Sequence, residues 1–190
     1  MTSTGSVGRD ERLRLFLALL LPDDVVASLD EWGARTLDRG RFDRGRRVPG
    51  EHLHITLAFL GSRPGSELPR ILEALRGAAT AASAFPLEPS RYRETRSVGM
   101  VVLDDATGGA RALAADVHER LEGLRVYRRE VRPWLPHITV LRFRERPRLQ
   151  PPLPETGTFV PSEAAAFLSR LHPSGARYEV LETVPLVQCP

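Results

Sequence analysis

The chain has 190 residues, 42% hydrophobic and 27% charged, with a formal net charge of +3. This composition suits a folded domain and lies far from a disordered one. All 27 basic residues are arginine, which excludes Schiff-base lysines, a P-loop lysine, ligases that carry nucleotide on lysine and kinases that depend on a β3 lysine. The single cysteine, Cys189, excludes an intramolecular disulfide, a cysteine-based zinc site and a CxxC redox centre.

Residues 1–11 are small and polar and read as a disordered lead-in, leaving residues 12–190 as one domain. Leu13 to Leu21 is a largely apolar run of strand length, as in a central strand covered on both faces. Arginines precede it, as in a signal peptide. However, Pro22-Asp23-Asp24 breaks the run, no small-x-small cleavage site comes after it, and it is too short to span a membrane. A cytoplasmic protein with no membrane partner is expected.

Pro22-Asp23-Asp24 opens a helix, with proline and acids where an N-terminus favours them and Val25, Leu29, Trp32 and Leu37 as its apolar stripe. Arg39 to Gly50 reads as a basic loop. Leu53 to Leu60 alternates as a strand and stops at Gly61, and Ser66 to Ala82 has helical periodicity. The second half repeats the rhythm: strands at Arg91–Thr95 and Val98–Leu103, a helix at Ala110–Leu124 and a strand at Trp134–Phe143. A proline-rich surface loop spans Pro147–Pro154. Two closing strands, Ala165–Leu171 and Tyr178–Val184, are joined by a Pro173-Ser174-Gly175 turn. Strands and helices in two similar halves imply an α+β protein of two lobes with a cleft between them.

The positive charge is uneven. Six Arg stand against two Asp from Arg35 to Arg47, and eight Arg against two Glu from Arg125 to Arg148. Such faces suit a phosphate-bearing partner, because arginine grips phosphate oxygens bidentately and keeps its proton. A genome that uses arginine in place of lysine gives the same pattern.

Two of the five histidines open the same tripeptide, His54-Ile55-Thr56 and His137-Ile138-Thr139, one copy in each half. On a strand, residues i and i+2 share a face, so each histidine stands beside its threonine while Leu53, Ile55, Leu57, Ile138 and Val140 face away. One such tripeptide alone reads first as a structural histidine beside a good strand former. Two, brought together across a cleft, supply a base, an acid and two neutral donors. Hydrolysis of a phosphodiester needs that set: one group deprotonates water, another protonates the leaving oxygen, and donors meet the charge between them.

HLHITLAFLG at His52–Gly61 and PHITVLRF at Pro136–Phe143 resemble the two signatures of the 2H phosphoesterase superfamily. More narrowly, they resemble the bacterial RNA 2′,3′-cyclic phosphodiesterases historically called 2′-5′ RNA ligases. RLFLALLLPDDV at Arg14–Val25 is similar to that family's opening strand, and LSRLHPSGARYEVLETVPL at Leu168–Leu186 to its closing hairpin. The resemblance implies a bilobal, pseudo-twofold LigT-like fold, with two antiparallel-rich sheets around a central cleft and helices outside. It further implies metal-independent opening of a terminal 2′,3′-cyclic phosphate to a 2′-phosphate without a cofactor, and weak 2′-5′ joining in reverse. His54 would then be the proton donor and His137 the proton acceptor. Thr56 and Thr139 would hold the phosphate, and Phe59 and Arg142 would lie near the nucleobase. The expected partner is RNA ending in a cyclic phosphate, or a related cyclic nucleotide, bound by a monomer.

Phe59 and Arg142 each lie five residues after their histidine, so strict alternation sends both to the opposite face. They reach the cleft only if each strand ends or bulges first. For Phe59 a core role and base stacking stand equal; Arg142, costly to bury unpaired, is expected in the cleft. His52 is expected at the rim, with a His52-x-His54 metal pair as the other reading. His118 is expected in solvent and His172 as structural. Two rival functions remain: a non-catalytic RNA-end binding module, and a cyclic phosphodiesterase of small nucleotides.

Overall fold

The computed structural model describes residues 11–37, 45–172 and 175–186. Most of the expected lead-in, Arg41 and Arg44 of the basic loop, Pro173-Ser174 and Cys189 lie outside the described residues. In chain order the elements are β1 Arg12–Leu19, α1 Asp23–Thr36, β2 Gly45–Arg47, β3 Ile55–Pro64, α2 Leu68–Ala81, β4 Glu88–Glu94 and β5 Val98–Asp104. They continue with α3 Gly109–Gly123, β6 His137–Phe143, β7 Glu163–His172 and β8 Gly175–Pro185.

The strands run antiparallel in the order β4-β5-β6-β3-β1-β7-β8, with β2 also paired to β6. The seam between the halves is slight: β3 meets β6 through one registered pair, Ile55 opposite Ile138. Two half-sheets therefore join edge to edge, and the expected α+β, two-lobed arrangement is realised as one curled sheet.

Alternation along β1 fixes which face does what. Leu13, Leu15, Leu17 and Leu19 enter the main core, against the buried stripes of α1 (Val25, Leu29, Trp32), α2 (Ile71, Leu75, Ala78) and α3 (Leu113, Val117, Leu121). The intervening Phe16 and Ala18 form a second cluster with Ala165 and Phe167 of β7. That cluster floors the other face, which the helices leave uncovered. The α3 start is capped from outside the helix, where the buried Asp105 carboxylate accepts the amides of Ala110 and Arg111 at 3.3 and 2.9 Å. Likewise the buried Glu94 carboxylate accepts the amides of Arg148 and Leu149 at 2.9 and 2.8 Å, pinning the segment after β6.

Several expectations need correction. The basic loop holds a short strand, β2, whose three residues are added to the edge of β6. β3 does not stop at Gly61. Glycine adopts φ 68° there without a Cβ penalty, and pairing with β1 continues to Pro64. His118 is not in solvent. It is buried, with Nε2 2.8 Å from the carbonyl of Leu57, which satisfies a core-facing backbone acceptor of β3 from α3.

Candidate active site

The single pair Ile55/Ile138 organises the site. An antiparallel pair has a local twofold axis normal to the sheet, which carries residue 55+k onto 138+k. The offset of 83 residues is the offset between the tripeptides, so this axis maps His54 onto His137 and Thr56 onto Thr139. The two strands are registered at this one pair, on either side of which the motifs stand. Ile55 and Ile138 are fully buried, so all four polar side chains occupy the face away from the core, each half-buried.

Both imidazoles are held alike. His54 Nδ1 lies 2.7 Å from the carbonyl of His52, and His137 Nδ1 lies 2.8 Å from that of Leu135. A carbonyl only accepts, so each Nδ1 carries a proton and each Nε2 is presented to a ligand. Either Nε2 thus serves as a base when bare and as an acid when protonated. The lead-in to β6 also anchors the opposite motif, because Trp134 Nε1 donates to the Thr56 carbonyl at 3.0 Å.

The two i+5 residues reach the cleft because both strands bulge at equivalent positions. Against β1, Thr56 pairs with Ala18 and Ala58 with Leu17, so Leu57 is the extra residue. Against β5, Thr139 pairs with Met100 and Leu141 with Gly99, so Val140 is the extra residue. Each bulge places two successive residues toward the core and shifts the parity of the residues after it. Phe59 emerges 49% exposed, and Arg142 emerges exposed as well. The carbonyls of the bulged residues are paired: Leu57 with His118 Nε2, and Val140 with the amide of Val48 at 2.9 Å.

A cavity of about 460 Å³ opens beside this constellation. Its walls include His52, His54, Thr56, Phe59 and Arg142, with Arg14, Arg46 and Arg47. Among the described residues, four arginines and no carboxylate line it. His137 and Thr139 stand on the neighbouring strand, outside the cavity wall itself. The hairpin end reaches β2 here, since a Cβ at Gly175 would collide with the Arg46 guanidinium.

His54 stands among aromatic rings, with Phe16 5.0 Å, Tyr178 5.7 Å and Phe167 6.1 Å away between centroids. Burial there lowers its pKa to about 4 despite the hydrogen bond to His52, which raises it; the charges of Arg142, His137 and His52 lower it further. At neutral pH and without ligand, His54 is therefore neutral. His52 lies at the rim as expected, its ring 4.6 Å from Tyr178. Among the described residues no group of three or more His, Cys, Asp and Glu side chains is close enough to hold a metal ion. Of the basic segment 125–132, Arg129 pairs with Glu122 and Arg132 with Glu130 on the surface.

Sequence reading missed Arg14, Phe16, Phe167, Ser169 and Tyr178 as cleft residues. A charged residue at Arg14 inside an otherwise apolar run was the available signal that one face of β1 is not plain core.

Comparison with known proteins finds relatives over most of the chain. The family model of the 2′-5′ RNA ligase superfamily matches residues 21–172. An RNA 2′,3′-cyclic phosphodiesterase of Thermus thermophilus is 35% identical over 191 residues, covering 92% of this chain and 90% of the relative. Among solved structures, TT0787 of T. thermophilus superposes with a TM-score of 0.78 at 32% identity, covering 92% of this chain and 98% of the other. E. coli LigT complexed with 3′-AMP gives a TM-score of 0.81 at 24% identity, covering 94% and 100%, a likeness that bears on fold alone. With a matching family model over most of its length and a relative of this identity spanning nearly all of it, the chain belongs to the 2′-5′ RNA ligase superfamily.

Proposed function

We propose that the protein hydrolyses the 2′,3′-cyclic phosphate at RNA ends to a 2′-phosphate, with His137 as general base, His54 as general acid, and Thr56 and Thr139 holding the phosphate. One observation carries this reading: two histidines with Nδ1 fixed to a carbonyl and Nε2 presented are related by a local twofold on one open face. His137 Nε2 takes a proton from water, and the nascent hydroxide bonds to phosphorus. The bond from phosphorus to O3′ breaks, and the proton on His54 Nε2 passes to that oxygen. The threonine hydroxyls donate to the non-bridging oxygens as charge builds on them. With a 5′-hydroxyl in place of water the same steps would form a 2′-5′ linkage: His137 takes the hydroxyl proton, the P–O3′ bond breaks, and His54 protonates O3′. The activity named for the T. thermophilus relative supports the substrate class.

The test is product analysis on an oligonucleotide ending in a 2′,3′-cyclic phosphate, with excess EDTA present. A 2′-phosphate product at an undiminished rate is expected. A 3′-phosphate product, or loss of activity to EDTA, defeats the reading, and tight binding without product makes the protein a binding module.

The depressed pKa of His54 has a kinetic consequence. As an acid, His54 must gain a proton that it lacks in the empty site at pH 7. A bound phosphate anion supplies the counter-charge, so substrate raises its pKa. The limb of kcat/KM set by His54, where rising pH removes the proton the step needs, reports the free enzyme and is therefore expected near pH 4. In kcat, which reports the complex, the limb is expected at higher pH. Coincident limbs would show that substrate does not protonate His54.

A further inference from the structure

We propose that Arg14 binds a backbone phosphate of the RNA upstream of the reacting end, and so makes the enzyme select polymer over mononucleotide. This rests on the cyclic-phosphodiesterase reading above and assigns a residue that the reaction itself does not use. Arg14 lines the cleft, and its Nε is buried with no hydrogen-bond acceptor among the described residues. Leaving a buried donor of a charged group unsatisfied is costly, and an anion is its natural complement. Among the described residues no carboxylate lines the cavity to fill that role. The guanidinium lies 4.8 Å from the centroid of the Phe59 ring, a cation–π contact that fixes its plane and leaves its N–H edge for a ligand.

Position separates this group from the chemistry. On β1, Ala18 pairs with Thr56 and Arg14 with Ser62. Four residues of strand put the Arg14 backbone about 13 Å along β1 from the level of the threonine. Ser169 and Tyr178 line the same wall, so the trough continues past the reacting end along β1, β7 and β8. A mononucleotide fills the part beside the histidines, whereas a polymer carries a further phosphodiester out along the trough.

The experiment compares kcat/KM for a 2′,3′-cyclic mononucleotide and for a short oligonucleotide with the same terminal nucleotide, in wild type, Arg14→Met and Arg14→Lys. Methionine keeps the packing on Phe59 and removes the charge. The oligonucleotide-to-mononucleotide ratio is expected to fall about tenfold or more in Arg14→Met and to be largely kept in Arg14→Lys. The slope of log kcat/KM against log salt for the oligonucleotide should lessen by about 0.7 in Arg14→Met, the share of one single-strand phosphate contact. An unchanged ratio in Arg14→Met, or equal losses on both substrates as for a base contact, overturns the assignment. Wild-type protein that turns over neither substrate overturns the cyclic-phosphodiesterase reading and this inference with it.

Discussion

His137→Ala is expected to lower kcat on a cyclic-phosphate-ended oligonucleotide by about 10²–10⁴-fold, and His54→Ala by a comparable factor, with the circular dichroism spectrum retained. Both side chains are half-buried on the cleft face, so truncation leaves the main core intact. The double variant is expected to lose little more than the worse single one, because a base and an acid that act in one step fail as a unit. The two roles separate on leaving group. An aryl phosphodiester expels a nitrophenolate that needs no proton, so it should spare His54→Ala and not His137→Ala. The opposite pattern would exchange the roles, and near-wild-type turnover by either variant on the cyclic substrate would end the paired-histidine account.

The pairing of the tripeptides was legible in the sequence because strand parity is local: residues i and i+2 share a face whatever the rest of the chain does. Helix positions were legible for a similar reason, since the stripes of α1, α2 and α3 recur at helical spacing within one segment. The parity of Phe59 and Arg142 was not. Leu57 and Val140 are extra residues only relative to Leu17/Ala18 and Gly99/Met100, partners distant in the chain. His118 shows the same limit. Charged neighbours on α3 make it look solvated, yet the helix turns it toward the carbonyl of Leu57, 61 positions away. The depressed pKa of His54 likewise comes from Phe16, Phe167 and Tyr178, which meet only when β1, β7 and β8 are assembled. Each miss is a tertiary fact written onto a correct local one.

Thr56→Val and Thr139→Val are each expected to lower kcat by about 10²–10³-fold with a much smaller change in KM. Valine replaces the hydroxyl by a methyl of nearly equal volume on a half-buried strand position, so the backbone and its bulge should persist. The split between kcat and KM reflects where the charge develops. A hydroxyl donor gains most as the non-bridging oxygens take on negative charge at the five-coordinate stage, and a donor that mattered equally to ground and transition states would move KM instead. The local twofold relates one threonine to the other, so the two losses should agree within about tenfold. Thr56→Ser and Thr139→Ser keep the donor and should recover most of the rate. A large loss at one threonine with none at the other would mean that the phosphate sits off the axis, held by one strand alone.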